Sequence, residues 1–121
     1  MQNNRSVTMK AKWMVNLCVL SIGLGLSITA QAASFNCNKA GNATERAICS
    51  NSRLSEADVK LANTYNILMR LSKDYSRYDL KDEQMQWLRD RNQCGSRVAC
   101  ISEEYQYRQQ QLENALARFG Y

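Results

Sequence analysis

The sequence predicts an all-α protein: a small, disulfide-stapled antiparallel three-helix bundle with an additional short N-terminal helix. Three observations predict it. Leu80, Gln84, Trp87, Arg91 and Cys94 follow one another at steps of four, three, four and three residues, the spacing of a helical seam. Two further stretches repeat that period: Leu54, Asp58, Leu61, Tyr65, Leu68 and Ser72, then Ile101, Tyr105, Arg108, Leu112, Ala115 and Phe119. No segment alternates apolar and polar residues with period two, so no strand is expected. Short connections make consecutive helices antiparallel, and tight turns with only three or four heptads per helix favour an intramolecular bundle over an intermolecular coiled coil.

The chain opens with basic Arg5, Lys10 and Lys12, continues with a mostly apolar run from Trp13 to Ile28, and reaches Ala30-Gln31-Ala32. This is the layout of a secretory signal peptide over residues 1–32, cut after Ala32, which leaves residues 33–121 as one helical domain. Asn16, Ser21, Gly23, Gly25 and Ser27 dilute the apolar run, which argues against a retained membrane anchor. Cys18 follows Val15-Asn16-Leu17, a context without the small residues of a lipoprotein site. The mature protein is therefore expected in the periplasm or outside the cell, without stable membrane insertion.

The formal charge of +5 overstates how basic that domain is, because three of the sixteen basic residues lie in the leader and leave thirteen against eleven acidic ones. So even a balance, without a basic patch, argues against nucleic-acid binding. There is no histidine and hence no side chain that titrates near neutrality in its unperturbed state. Proline is absent too, so nothing reads as a stiff linker to a second domain.

Four cysteines remain after the leader: Cys37, Cys49, Cys94 and Cys100. An even count in a short exported chain reads as disulfides, and the spacing lacks the close pairs or histidines of a zinc site; no metal and no cofactor is expected. Three pairings are open to four cysteines. Nearest-neighbour pairing, Cys37 with Cys49 and Cys94 with Cys100, suits the helical layout best, since each bridge would then pin a turn.

In chain order, Ser34 to Gly41 reads as irregular, with Phe35 plugging one end of the core. Asn42 or Thr44 caps a short helix that ends near Ser50, and Asn51-Ser52-Arg53 makes the turn. Ser55 with Asp58 resembles a capping box for a second helix reaching about Lys73, which Tyr75 extends at most. Ser76-Arg77-Tyr78 is a polar tip, and Asp79 caps the third helix, which stops at Gly95. The fourth follows.

The seams carry polar residues where leucine would be ordinary: Asp58, Gln84, Arg91 and Arg108, joined by Glu45 on the inner side of the short helix. Two readings exist. Glu45 and Asp58 would serve a hydrolase as a carboxylate pair. Alternatively, they neutralise Arg91 and Arg108 in a buried network that fixes helix register, and this reading is preferred because a three-helix core this small leaves little room for a substrate cleft. No enzymatic activity is expected. Trp87, Tyr65 and Tyr105 read as core aromatics with satisfied polar tips.

Taken together, Ser34-Phe35-x-Cys37-x-x-Ala40, Glu45-x-Ala47-Ile48-Cys49, Leu54-Ser55-x-x-Asp58, Tyr65, Gln84-x-x-Trp87-Leu88-x-x-Arg91-x-x-Cys94, Cys100 and Tyr105-x-x-Arg108-x-x-x-Leu112 resemble the LprI-like lysozyme-inhibitor family of exported bacterial proteins. The resemblance covers nearly the whole mature chain. It implies a disulfide-bonded helical module of the bacterial envelope with a protein partner, foremost a lysozyme that it inhibits without turnover. The alternative function is a periplasmic interaction or stress-response module with another partner. In an up-down-up bundle the turn at Ser50-Asn51-Ser52-Arg53 and the turn at Gly95-Ser96-Arg97 fall at one end. Ser52, Arg53, Ser96 and Arg97 are therefore the candidate partner-binding residues, to be weighed against the plain reading of both arginines as solvated turn residues.

Overall fold

A computed structural model of the protein describes residues 33–121; the predicted leader, with Cys18, lies outside the described residues. After a 3-10 turn at Cys37–Lys39 come four helices: α1 (Ala43–Ser50), α2 (Ser52–Leu71), α3 (Asp74–Asn92) and α4 (Val98–Ala117). There is no strand among the described residues. Side-chain pairs fix the directions. Asp58 and Thr64 of α2 meet Tyr105 and Gln109 of α4 in the same order, so α2 and α4 run parallel. Arg91 and Gln84 of α3 meet Tyr105 and Arg108 of α4 in reversed order, so α3 runs antiparallel to both. α4 packs most extensively on α2 and also on α3, whereas α2 and α3 approach each other little; α1 lies across α2 and the end of α3.

The helical seams become the core. Leu54, Leu61 and Leu68 from α2, Leu80 and Trp87 from α3, and Ile101 and Leu112 from α4 are buried together, with Ile48 of α1 closing one end and Phe35 packed at its margin. Truncating Ile48 or Ile101, both fully enclosed, removes buried methylenes and leaves a cavity, a loss of about 2–5 kcal/mol.

Capping explains where the helices begin, and here the structure departs from several expectations. Asn42 caps α1, its side chain accepting the Glu45 amide, while the Glu45 carboxylate reaches back to the Gly41 amide at 2.6 Å. Glu45 thus serves the helix end and stands apart from the buried polar network to which its seam position assigned it. Thr44 turns inward instead of capping. Asn51 ends α1 and also caps α2 by accepting the Leu54 amide at 3.2 Å, so the connection is one residue and Ser52 and Arg53 belong to the first turn of α2. Ser55, expected as a cap, is inside that helix and buried, donating to the Ile48 carbonyl at 2.6 Å.

The α2–α3 turn lies earlier than the polar stretch 76–78 suggested. It occupies Ser72 and Lys73, and residues 76–79 are helical. Three hydrogen bonds account for the shift: the Ser72 amide closes on the Leu68 carbonyl, and Arg77 donates twice to the Ser72 carbonyl, from Nε at 3.2 Å and Nη2 at 2.9 Å. Phe119, counted with the fourth seam, falls beyond α4 and is exposed.

Disulfides join Cys37 to Cys49 and Cys94 to Cys100, closing spans of 12 and 6 residues. One ties the irregular N-terminal stretch to α1; the other bridges the α3–α4 turn, where Gly95 takes a φ of +58° that other residues adopt only with strain. Peptide mapping of the oxidised protein should recover these two pairs, and a Cys37–Cys94 product would overturn this layout. Reduction should lower the melting temperature markedly, each bridge contributing roughly 2–4 kcal/mol by restricting the unfolded chain.

Candidate partner-binding site

Two concave regions and one buried polar cluster stand out. The first region is a cleft of about 470 Å³ at the end where α1 meets the α3–α4 turn, with Arg46, Ser50, Asn51, Ser96 and Val98 in its lining. Its walls are held together from inside: the buried Thr44 hydroxyl of α1 lies 2.8 Å from the Gly95 carbonyl and 3.3 Å from the Asn92 carbonyl and donates to them. No acidic side chain lines this cleft.

Of the four candidate residues, Ser96 lines the cleft. Ser52 and Arg53 are exposed on the first turn of α2, next in sequence to Asn51 at the cleft's edge. Arg97 is exposed but not a loose arm: its Nε donates to the Cys94 carbonyl at 3.0 Å and its Nη2 to the Gln93 carbonyl at 3.4 Å. Arg46, which the sequence reading passed over, sits in the cleft as its own cation. Its signal was obscured because a single arginine on the exposed face of a short helix looks like any solvated charge.

The second region is a groove of about 890 Å³ between α3 and α4. Leu80, Trp87 and Leu112 lie among its lining, with Glu83, Asp90 and Glu104 as its carboxylates. It was not expected from the sequence, because a three-helix core this small was read as leaving little room for a cleft.

The third feature is the buried cluster. Asp58 is 5% exposed and Arg91 3%, and their side chains approach to 3.9 Å without a direct hydrogen bond. The Tyr105 hydroxyl joins them: it accepts from Arg91 Nη1 at 2.9 Å and donates to Asp58 Oδ1 at 2.7 Å. Nε and Nη2 of Arg91 donate to Asn92 Oδ1, and the other Asp58 oxygen accepts the Ser34 amide at 2.6 Å. Trp87 meets the Tyr105 ring edge-on with centroids 5.3 Å apart, and the Arg91 guanidinium carbon lies 5.4 Å from the indole centroid, within cation–π range.

A separate polar group surrounds Arg108, whose side chain is 4% exposed. It donates to Gln84 and Gln111 at 3.0 Å and to Glu83 at 3.4 Å, while its Nη2 has no partner. Its carboxylate is therefore Glu83, not Glu45. Gln109, buried and bonded to Thr64, adds a polar α2–α4 tie that the heptad positions did not mark. With Asp58 engaged in the cluster and Glu45 at a helix cap, the two carboxylates belong to different bonding systems.

Residues 36–112 match the family model described as "Lysozyme inhibitor LprI", well over half of the chain. The chain belongs to the LprI lysozyme-inhibitor family. That is a family of inhibitors rather than of enzymes, and its description names a protein as the partner. No curated protein matches the chain, and no solved structure does. No helix among the described residues is long and apolar enough to cross a membrane.

Removing either charge of the buried cluster strands the other, so Asp58→Ala and Arg91→Ala should each lower stability by about 3–5 kcal/mol in denaturant unfolding. Tyr105→Phe should cost about 1–3 kcal/mol, because both ions then lose a bond with no water to replace it. Single alanine variants that unfold with the parent would rule out the network's role.

The Tyr105 phenol is pushed well above its ordinary value of 10.0, chiefly by burial, with Arg91 opposing and Asp58 adding to the rise. Its unfolded form loses a proton first, so the stability it brings is complete below about pH 10 and is lost as the pH rises further. The alkaline fall in melting temperature should accordingly be shallower in Tyr105→Phe than in the parent.

Proposed function

We propose that residues 33–121, exported and freed of the leader, act as a stoichiometric inhibitor of a muramidase and have no turnover of their own. Family membership supports the class of partner. The observation that carries the reading of the site is the cleft at the α1 and α3–α4 end, a braced surface that contains Arg46 and no carboxylate. Lysozyme cleaves its substrate with a carboxylate pair in an open cleft, and guanidinium groups and hydroxyls on a rigid edge are suited to engage such a pair. Arg46 and Arg53 supply the attraction, Ser52 and Ser96 short hydrogen bonds, and Arg97 keeps the α3–α4 turn in shape while leaving Nη1 for a ligand. Export places the domain in the periplasm or outside the cell, where both disulfides persist.

One observation favours a second reading. The α3–α4 groove is larger, and its lining carries Glu83, Asp90 and Glu104 beside Arg108 and Arg118, with Glu83 already paired to Arg108, so it suits a different envelope protein that brings a cation to Asp90 and Glu104. In that case the domain is an interaction module and lysozyme is not its target.

The deciding measurement is a lysozyme activity assay titrated with the oxidised mature domain. The variant Arg46→Glu with Arg53→Glu leaves Arg97, which braces the α3–α4 turn, untouched. If it keeps its helical circular dichroism, it should weaken inhibition by about tenfold or more at low salt, with a smaller difference at high salt. Undiminished inhibition at low salt removes this end as the binding site. Absence of inhibition by the parent, with an envelope protein bound in a manner that Glu83→Lys and Asp90→Lys abolish, selects the second reading.

A further inference from the structure

The second oxygen of Asp58 faces the start of the domain. Ser34 donates its amide to Asp58 Oδ2 at 2.6 Å, and Ala33 beside it is 3% exposed and counts among the buried core. An N-terminal stretch is ordinarily a poorly ordered end unless something ties it down. Here the tie is a buried carboxylate. Successive backbone nitrogens are separated by N–Cα, Cα–C and C–N bonds and so lie about 3–3.7 Å apart, which puts the Ala33 nitrogen within about 6 Å of Asp58 Oδ2.

Ala33 is also the first residue after the predicted cleavage point. We propose that Asp58 is the receptor for the α-ammonium group of Ala33, so that removing the leader completes the polar core. The covalent step is hydrolysis of the Ala32–Ala33 peptide bond by the peptidase of the export route: one water is consumed, Ala32 departs as a carboxylate, and Ala33 gains a protonated amine. Before cleavage the Ala33 nitrogen is a neutral amide. After it, a cation stands within the 4–6 Å over which opposite charges sustain each other's ionised forms.

The groups facing Asp58 leave a place for that cation. Arg91 approaches from α3 but reaches Oδ1 through the Tyr105 hydroxyl of α4, and the Glu45 carboxylate of α1 is turned to Gly41. Arg46, the other charged residue of α1, is exposed. Oδ2 therefore has the Ser34 amide as its bonded donor and is the oxygen nearest the chain start. For this pairing the Asp58 carboxylate must outweigh the desolvation of this end, so that the ammonium pKa lies above the 7.7–8.0 of an unfolded chain. Its contribution is complete below that range and is lost as the pH rises through the folded value.

All four helices, both disulfides and the core lie within 33–121, so the test uses that domain. Export of the full chain should yield a protein whose mass begins at Ala33. At neutral pH this form should melt about 4–8 °C above one carrying Gly-Ser ahead of Ala33, and above one acetylated at the Ala33 amine. Both gaps should close once the pH exceeds the ammonium pKa. Asp58→Asn tests the same point where it still folds, by returning that pKa to its ordinary range. Equal melting of the three forms at neutral pH, gaps that persist at high pH, or a mature start elsewhere than Ala33 each overturns the proposal, and none depends on what the domain inhibits.

Discussion

Three helices of this protein meet at one oxygen atom. The Tyr105 hydroxyl of α4 links the Asp58 carboxylate of α2 to the Arg91 guanidinium of α3, and it does so where the backbones of α2 and α3 come little into contact. Leucines tolerate sliding by a turn, because one apolar neighbour serves nearly as well as another. A carboxylate, a phenol and a guanidinium do not, since any other register leaves a buried charge without its partner. An apolar triad of similar volume would make the core as stable or more so. What the polar triad adds is a single permitted alignment of α2, α3 and α4.

The same logic explains which parts of the fold were legible in the sequence. The seams were readable because period is a property of the chain itself: Leu80, Trp87, Arg91 and Cys94 are all buried, and so are Leu54, Asp58, Leu61 and Leu68. The starts of α2 and α3 were not. Ser55 and Asp79 have the chemistry of caps, but Asn51 lies nearer the previous helix, and Arg77 closes the Ser72 carbonyl across a turn that no local pattern announces. Glu45 was misread for the opposite reason: its seam position pointed inward while a nearer claimant, the Gly41 amide, took its carboxylate. Asp58 and Arg91 could be matched by counting along two helices, whereas Tyr105 as the bridge depends on how α4 is rotated. The cleft and the groove depend on the juxtaposition of residues far apart in sequence, which is why Arg46 and the carboxylates of α3 and α4 went unnoticed.

Charge is spread evenly by number and unevenly by place. Arg46, Arg53 and Arg97 gather near the joint of α1 with α2 and the α3–α4 turn, while Glu83, Asp90 and Glu104 face the long groove. A domain with thirteen basic and eleven acidic groups thus has one concave surface with Arg46 and no carboxylate, and another where three carboxylates stand beside Arg108 and Arg118. Orientation toward a charged partner follows from such an arrangement even when the net charge is small.

The brevity of the connections has a bearing on how long such a protein survives among hydrolytic enzymes. α1 passes to α2 through Asn51 alone, and α2 to α3 through Ser72 and Lys73. The longest link between helices, residues 93–97, lies largely within the loop that the Cys94–Cys100 bridge closes, and Arg97 is folded onto its carbonyls. Endoproteases need an extended strand several residues long to thread through their active sites, and exposed loop tips are where they usually find one. This chain offers none between its helices, so digestion must wait for a helix to unravel. Durability in a protease-rich compartment is in that sense a by-product of joints too short to grip.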